Sequence, residues 1–131
     1  MPGGEEAATV KQNSAQTVYC FHYYLPMTHS ADNKREHEHS HTLEITTFVR
    51  PRDEEGKKFE EIEKYAAEVL GHYENRYLND MPEFNGDASI ECIGNRLFED
   101  IKDRLDFNHV DMERLEIGEN PLRTYIVSTY M

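Results

Sequence analysis

Three imidazoles and two carboxylates stand within six residues in the run Glu36-His37-Glu38-His39-Ser40-His41. His39 and His41 are two positions apart, which is the side-chain period of a strand, so an extended backbone sends both rings to one face. Neutral imidazole is a preferred ligand of zinc and similar ions, and a third protein ligand leaves one coordination position open for chemistry. Two other histidines compete for that third place. His22 lies in the strand-like run Thr17–Leu25, which makes a set of three drawn from two strands. His29 lies in a polar stretch and reaches the pair if that stretch folds back. His37 falls on the opposite face from His39 and reads as a solvated neighbour. A carboxylate beside such an ion serves as a general base when partial burial raises its pKa. Glu36 is the first candidate and Glu38 the second, although a surface charge is the default reading of either.

The elements that must hold these groups follow from periodicity. Residues 17–25 and 39–50 read as strands, with a polar loop from Pro26 to Glu38 between them. Pro51 to Gly56 is a turn by composition. From Lys57 the period changes: Phe59, Ile62, Ala66, Val69 and Tyr73 recur at helical steps, and the helix is expected to run on towards Tyr77–Asp80. Ser89 or Asp87 can N-cap a second helix, whose buried stripe is Ile90, Ile93, Leu97, Ile101 and Leu105. Residues 111–117 and 122–130 read as two more strands around a Gly118–Pro121 turn. The order ββααββ implies an α+β fold, a four-stranded antiparallel sheet with both helices on one face. The other face then needs cover, which small sheets obtain by oligomerising.

The totals narrow the function. The chain has 131 residues, expected as a patternless tail over 1–16 and a single domain over 17–131. With 26 acidic against 14 basic residues, its net charge of −12 repels nucleic acid and anionic membranes. No apolar run approaches the ~20 residues of a membrane span. No export signal is evident, so a cytoplasmic location is expected, with Cys20 and Cys92 packed as small hydrophobes and not bonded to each other.

Taken in order, these residues resemble the 6-pyruvoyl-tetrahydropterin synthase and 6-carboxy-tetrahydropterin synthase family, of the tunnelling fold (T-fold). His22 resembles the family's first zinc histidine, and His39-Ser40-His41 its His-Gly-His. Leu78-Asn79-Asp80 resembles the Leu-Asn-Asp that closes the first helix. Ser89-Ile90-Glu91 resembles a Pro-Thr-x-Glu entry to the second, and Glu119-Asn120-Pro121 a Glu-Thr element that anchors the pterin ring. The resemblance spans residues 17 to 130. It implies a zinc lyase acting on a 7,8-dihydroneopterin derivative in pterin, folate or queuosine-precursor metabolism, and a homohexamer of two trimers whose sheets close into barrels. It also implies that His22, His39 and His41 hold zinc, and that Glu119 and Ser89 face the substrate.

Two departures bear on the activity. The family's catalytic cysteine ahead of the His-x-His is missing, and Arg35 sits about where it would fall. Where the family carries Leu-Asp-His, this chain reads Tyr73-Glu74-Asn75: Glu74 keeps the charge, but Asn75 cannot shuttle a proton. Glu36, three residues before His39, matches a branch that replaces the cysteine with glutamate and is associated with aldolase-like cleavage of the side chain. The resemblance therefore implies Glu36 and Glu74 as catalytic groups. A non-catalytic relative that binds metal and a pterin or purine-like ligand is the alternative, and an oligomer without a ligand is a third reading.

Overall fold

A computed structural model describes residues 17–52 and 58–129. The expected tail over 1–16 and most of the expected turn after Pro51 lie outside the described residues. Four strands, β1 (Tyr19–His29), β2 (His39–Pro51), β3 (Val110–Asn120) and β4 (Arg123–Ser128), form one antiparallel sheet in sequence order. Helices α1 (Phe59–Gly71) and α2 (Ile90–Phe107) lie between β2 and β3 in the chain. The α+β architecture and the ββααββ order match the expectation: this is the T-fold.

Alternation decides which face the helices cover. Odd-numbered residues of β1 and β2 (Leu25, Met27, Leu43, Ile45, Val49) are almost wholly buried, together with Leu115 and Ile117 of β3. Against them pack Ile62 and Ala66 of α1, and Ile93, Leu97, Ile101 and Leu105 of α2. Each of the larger side chains contributes about 1.5–3 kcal/mol by leaving water, and a strand register slip of one residue would expose the sheet's share of the set. Even-numbered residues of the same strands face away from the helices, with His22, Tyr24, Thr42 and Glu44 exposed. Ser89 caps α2 as expected, its hydroxyl oxygen accepting from the Cys92 amide at 3.3 Å.

Four local expectations need correction. β1 does not stop at Leu25 but continues through Pro26 to His29. Proline is tolerated there because β1 is an edge strand. The Pro26 carbonyl accepts from the Asn75 amide at 2.7 Å, so the position that lacks an N–H also faces away from β2. Helix α1 ends at Gly71, not near Tyr77; Leu78–Asp80 is a separate 3-10 turn. Glu119 belongs to β3 and not to a turn, since the reversal falls between Asn120 and Arg123. Finally, Cys20 is exposed and not packed; both cysteines are free thiols.

Candidate metal centre

The β1–β2 register creates the site. His29 pairs with His39 and Met27 with His41, so positions 29, 39 and 41 share the helix-covered face at one end of the sheet. Ring centroids lie 4.5 Å apart for His29–His39, 4.8 Å for His39–His41 and 5.2 Å for His29–His41. One nitrogen from each ring falls within 4.8 Å of the other two.

Their hydrogen bonds fix which nitrogens are free. His29 is only 5% exposed, and its Nδ1 lies 2.7 Å from the Ala88 carbonyl, directly before the α2 cap. That carbonyl can only accept, so Nδ1 donates to it, and in the neutral ring this leaves the lone pair on Nε2. The Nε2 atom is buried without a hydrogen-bond partner. His39 repeats the arrangement more loosely, with Nδ1 3.3 Å from the His37 carbonyl. Burial holds His41 below its ordinary value. Glu119 opposes that shift, while His29 and His39 add to it. Neutral imidazole is the metal-binding form.

Glu119 stands beside the cluster, from β3. Its two carboxylate oxygens lie 3.6 Å from His29 Nε2 and 3.6 Å from His41 Nε2. Three imidazoles, one with an orphaned buried nitrogen, and a carboxylate fit a zinc-type ion; calcium or magnesium would call for an all-oxygen set. On its other side Glu119 borders a cavity of about 480 Å³, lined also by Ile90, Glu91, Gly118, Arg123, Thr124 and Tyr125.

Behind His29 stands a clamp built on Asn79. Buried Asn79 accepts from the Ser30 amide at 2.9 Å, donates to the Ser30 carbonyl at 2.9 Å and reaches Asn33 Oδ1 at 3.3 Å. The Ser30 hydroxyl meets the Tyr77 hydroxyl at 2.6 Å. The chain leaving β1 is thereby fixed at the residue after His29. The available signal was the Leu78-Asn79-Asp80 motif, which sequence alone shows as the end of a helix.

His22 is not brought into the cluster. It sits opposite Thr46 on the outer face, with Nδ1 3.0 Å from Thr46 Oγ1. Seven residues of strand, about 23 Å at the usual rise, separate it from His29. The parity of β1 excludes it, because 22 and 29 point to opposite faces. His29 takes the third place, and it does so without any loop folding back.

The carboxylates divide. Glu36 is exposed on the Arg35–His37 turn, with no hydrogen bond or ion pair among the described residues. Glu38 accepts from the Thr28 hydroxyl and lies 3.4 Å from Arg35 Nε. His37 pairs with Asp32, holding that carboxyl below its usual range. Glu74 lines a small hollow with Tyr23, Tyr24 and Leu70, away from the histidines. Its neighbour Asn75, at φ 58°, is the one that shares a hollow with His41. Ser89 spends its hydroxyl on the cap, while the adjacent Ala88 carbonyl holds His29.

Residues 14–129 match the family described as 6-pyruvoyl tetrahydropterin synthase. No curated protein sequence matches the chain closely enough to count as a relative. Among solved structures, 6-pyruvoyl tetrahydropterin synthase of Caenorhabditis elegans is 15% identical, with a TM-score of 0.70, covering 86% of this chain and 94% of that one. An uncharacterized protein of Wolinella succinogenes is 13% identical at a TM-score of 0.62, with coverages of 87% and 99%. The Plasmodium vivax 6-pyruvoyltetrahydropterin synthase, solved with a catalytic glutamate replaced by alanine, is 14% identical at a TM-score of 0.53, with coverages of 86% and 98%.

Proposed function

The chain belongs to the 6-pyruvoyl tetrahydropterin synthase family, and from that membership we propose that it is a zinc-dependent lyase acting on a 7,8-dihydroneopterin derivative. The observation that carries the proposal is the convergence of His29, His39 and His41 beside Glu119, at the rim of the 480 Å³ cavity. The three imidazoles would hold the ion, whose contribution as a Lewis acid is to make side-chain hydroxyls of the substrate easier to deprotonate.

The cavity suits a pterin by its hydrogen-bonding character. Glu91 and Glu119 offer acceptor oxygens, and a pterin's amino and imide groups are donors on one planar edge. Ile90, Ile117 and Tyr125 supply the apolar walls for a flat ring.

Glu36 is the proposed base, with Glu38 second. Glu38 is already committed to Thr28 and Arg35, whereas Glu36 has no such partner among the described residues. A catalytic glutamate in the Plasmodium vivax relative supports a carboxylate in this office. In the aldolase-like course the base takes the proton of the second side-chain hydroxyl, and the bond between the first and second side-chain carbons breaks. The electron pair passes into the ring's carbon–nitrogen double bond and the outer fragment leaves as an aldehyde. The proton held by the base then goes to the first side-chain carbon, which restores the double bond and leaves a hydroxymethyl pterin. Such a cleavage would feed folate synthesis, whereas the carboxy-tetrahydropterin branch of the family would feed queuosine; the cytoplasm is the proposed location. A homohexamer of two trimers would pair the open edges of β1 and β4 and cover the outer sheet face.

A second reading, a non-catalytic binder of metal and a pterin, is favoured by one observation. Glu74 turns into a separate hollow and Asn75, which has no titratable proton, takes the place beside His41. Zinc-loaded protein incubated with 7,8-dihydroneopterin and, separately, with its triphosphate distinguishes the two. A pterin product with a shortened or rearranged side chain is the expected result. Bound zinc with no product from either substrate removes the lyase and leaves the binder.

A further inference from the structure

Glu119 makes contacts that a ring anchor does not require. Each of its oxygens faces a different histidine nitrogen at 3.6 Å. That is too long for a hydrogen bond, and a charged imidazolium–carboxylate pair would draw in to about 2.8 Å. The separation is that of a tetrahedral edge, since two ligand atoms each about 2.0–2.2 Å from zinc stand about 3.3–3.6 Å apart, but a different oxygen meets it at each histidine. Among the described residues His29, His39 and His41 alone gather within 4.8 Å, and one Glu119 oxygen must turn inward to join them. One of the facing atoms, His29 Nε2, is buried without a partner. Its proton-bearing side is already committed to Ala88, so the lone pair points into the space shared with the carboxylate.

We propose that Glu119 is a fourth metal ligand, closing the resting site as three histidines and a carboxylate. The inference rests on the metal reading above and deepens it, because Glu119 also borders the cavity. Its side chain is 28% exposed and lies at the end of β3, next to the register shift between Ile117 and Asn120. The carboxylate thus has two stations. On the ion it completes a closed site, which leaves no position for chemistry. Turned towards the cavity, it accepts from the donor edge of an incoming ring and frees a position on the metal. Substrate that carries both a donor edge and a hydroxylated tail would open the site by occupying Glu119.

Metal titration tests this without any turnover. Metal-free wild type and Glu119→Gln are titrated with zinc against a chromophoric chelator, and the cobalt(II) forms are compared by visible absorption. Glu119→Gln is expected to weaken zinc binding ~10-fold or more, and to lower the cobalt band intensity as water replaces the carboxylate. If Glu119→Gln does not fold, Glu119→Asp, which retracts the carboxylate by one methylene, is read on the same two scales. Wild type that holds zinc, with a variant of unchanged affinity and spectrum, overturns the fourth ligand and leaves the three-histidine site standing. Weaker binding with an unchanged cobalt spectrum also overturns it, since a distant charge would do as much. Wild type that holds no zinc overturns both readings together.

Discussion

His29, the last residue of β1, lies directly across the ladder from His39, the first residue of β2, with ring centroids 4.5 Å apart. Two strand ends joined by a nine-residue connection are therefore locked in register where the ligands stand. Alanine at 29, 39 or 41 should each weaken zinc binding by roughly 100-fold or more, by loss of a primary ligand. His22→Ala should leave zinc stoichiometry at the wild-type value, because that ring bonds Thr46 on the opposite face. Metal content after dialysis, measured for all four variants, checks the set. Loss of zinc from His22→Ala alone would overturn the assignment.

Asn79 should matter to the metal without touching it. Its amide satisfies both the N–H and the C=O of Ser30, a residue 2% exposed. Asn79→Ala leaves both backbone groups buried and unpaired, at about 1–3 kcal/mol each where no water enters. A loss of about 2–4 kcal/mol in urea denaturation is expected, along with weaker zinc binding at temperatures where the variant is still folded. Unchanged zinc affinity in a folded Asn79→Ala protein would reduce the clamp to a stability element.

Much of this was legible in the residues. The alternation of apolar positions through β2 and the helical spacing in α1 and α2 prescribe the sheet, the helices and their shared face. His39 and His41 follow from period two alone. His29 was harder to read because Pro26 is punctuation in a sequence, and its tolerance here depends on β1 being an edge strand whose Pro26 carbonyl meets Asn75. With the strand cut short at Leu25, parity could not be carried to position 29, and His22 took its place by resemblance. Glu119 was obscured in a similar way. Gly118 and Pro121 flank it and suggest a turn, but the reversal falls two residues later, and the strand parity that puts Glu119 beside the histidines shows only in the register of β3 against its neighbours.

At Gly94 α2 lies tight against the sheet. A Cβ there would stand 2.8 Å from Tyr125 Cδ2 and 3.0 Å from Ile117 Cγ2. Alanine would gain about 1 kcal/mol in helix propensity, but overpacking costs about 1–3 kcal/mol. Ile117 is fully buried, and the Tyr125 hydroxyl is held by Asn95 Oδ1 at 2.9 Å, so neither neighbour moves freely. Gly94→Ala should lower the melting temperature and, by displacing Tyr125, reshape the cavity beside Glu119. A rise in melting temperature would mean that the helix shifts outward at no cost.

The His72–Glu83 pair should give the protein a measurable acid sensitivity far from the metal. The hydrogen bond from His72, first, and Glu83's own backbone amide, second, hold the Glu83 carboxyl below its ordinary 4.5. A carboxyl depressed in the folded state stabilises the protein above its unfolded pKa, since the unfolded chain takes up the proton first as pH falls. The contribution is therefore full above about pH 5. It shrinks as pH drops from 4.5 and is lost once pH passes below the depressed value. His72 is half exposed, so solvent limits the pair to no more than about 1 kcal/mol. Glu83→Gln should lie below wild type by about that amount at pH 6, and the two urea-unfolding curves should converge under acid. A gap that persists unchanged to the lowest pH at which the protein folds would show that the carboxylate's charge is not what the native state uses.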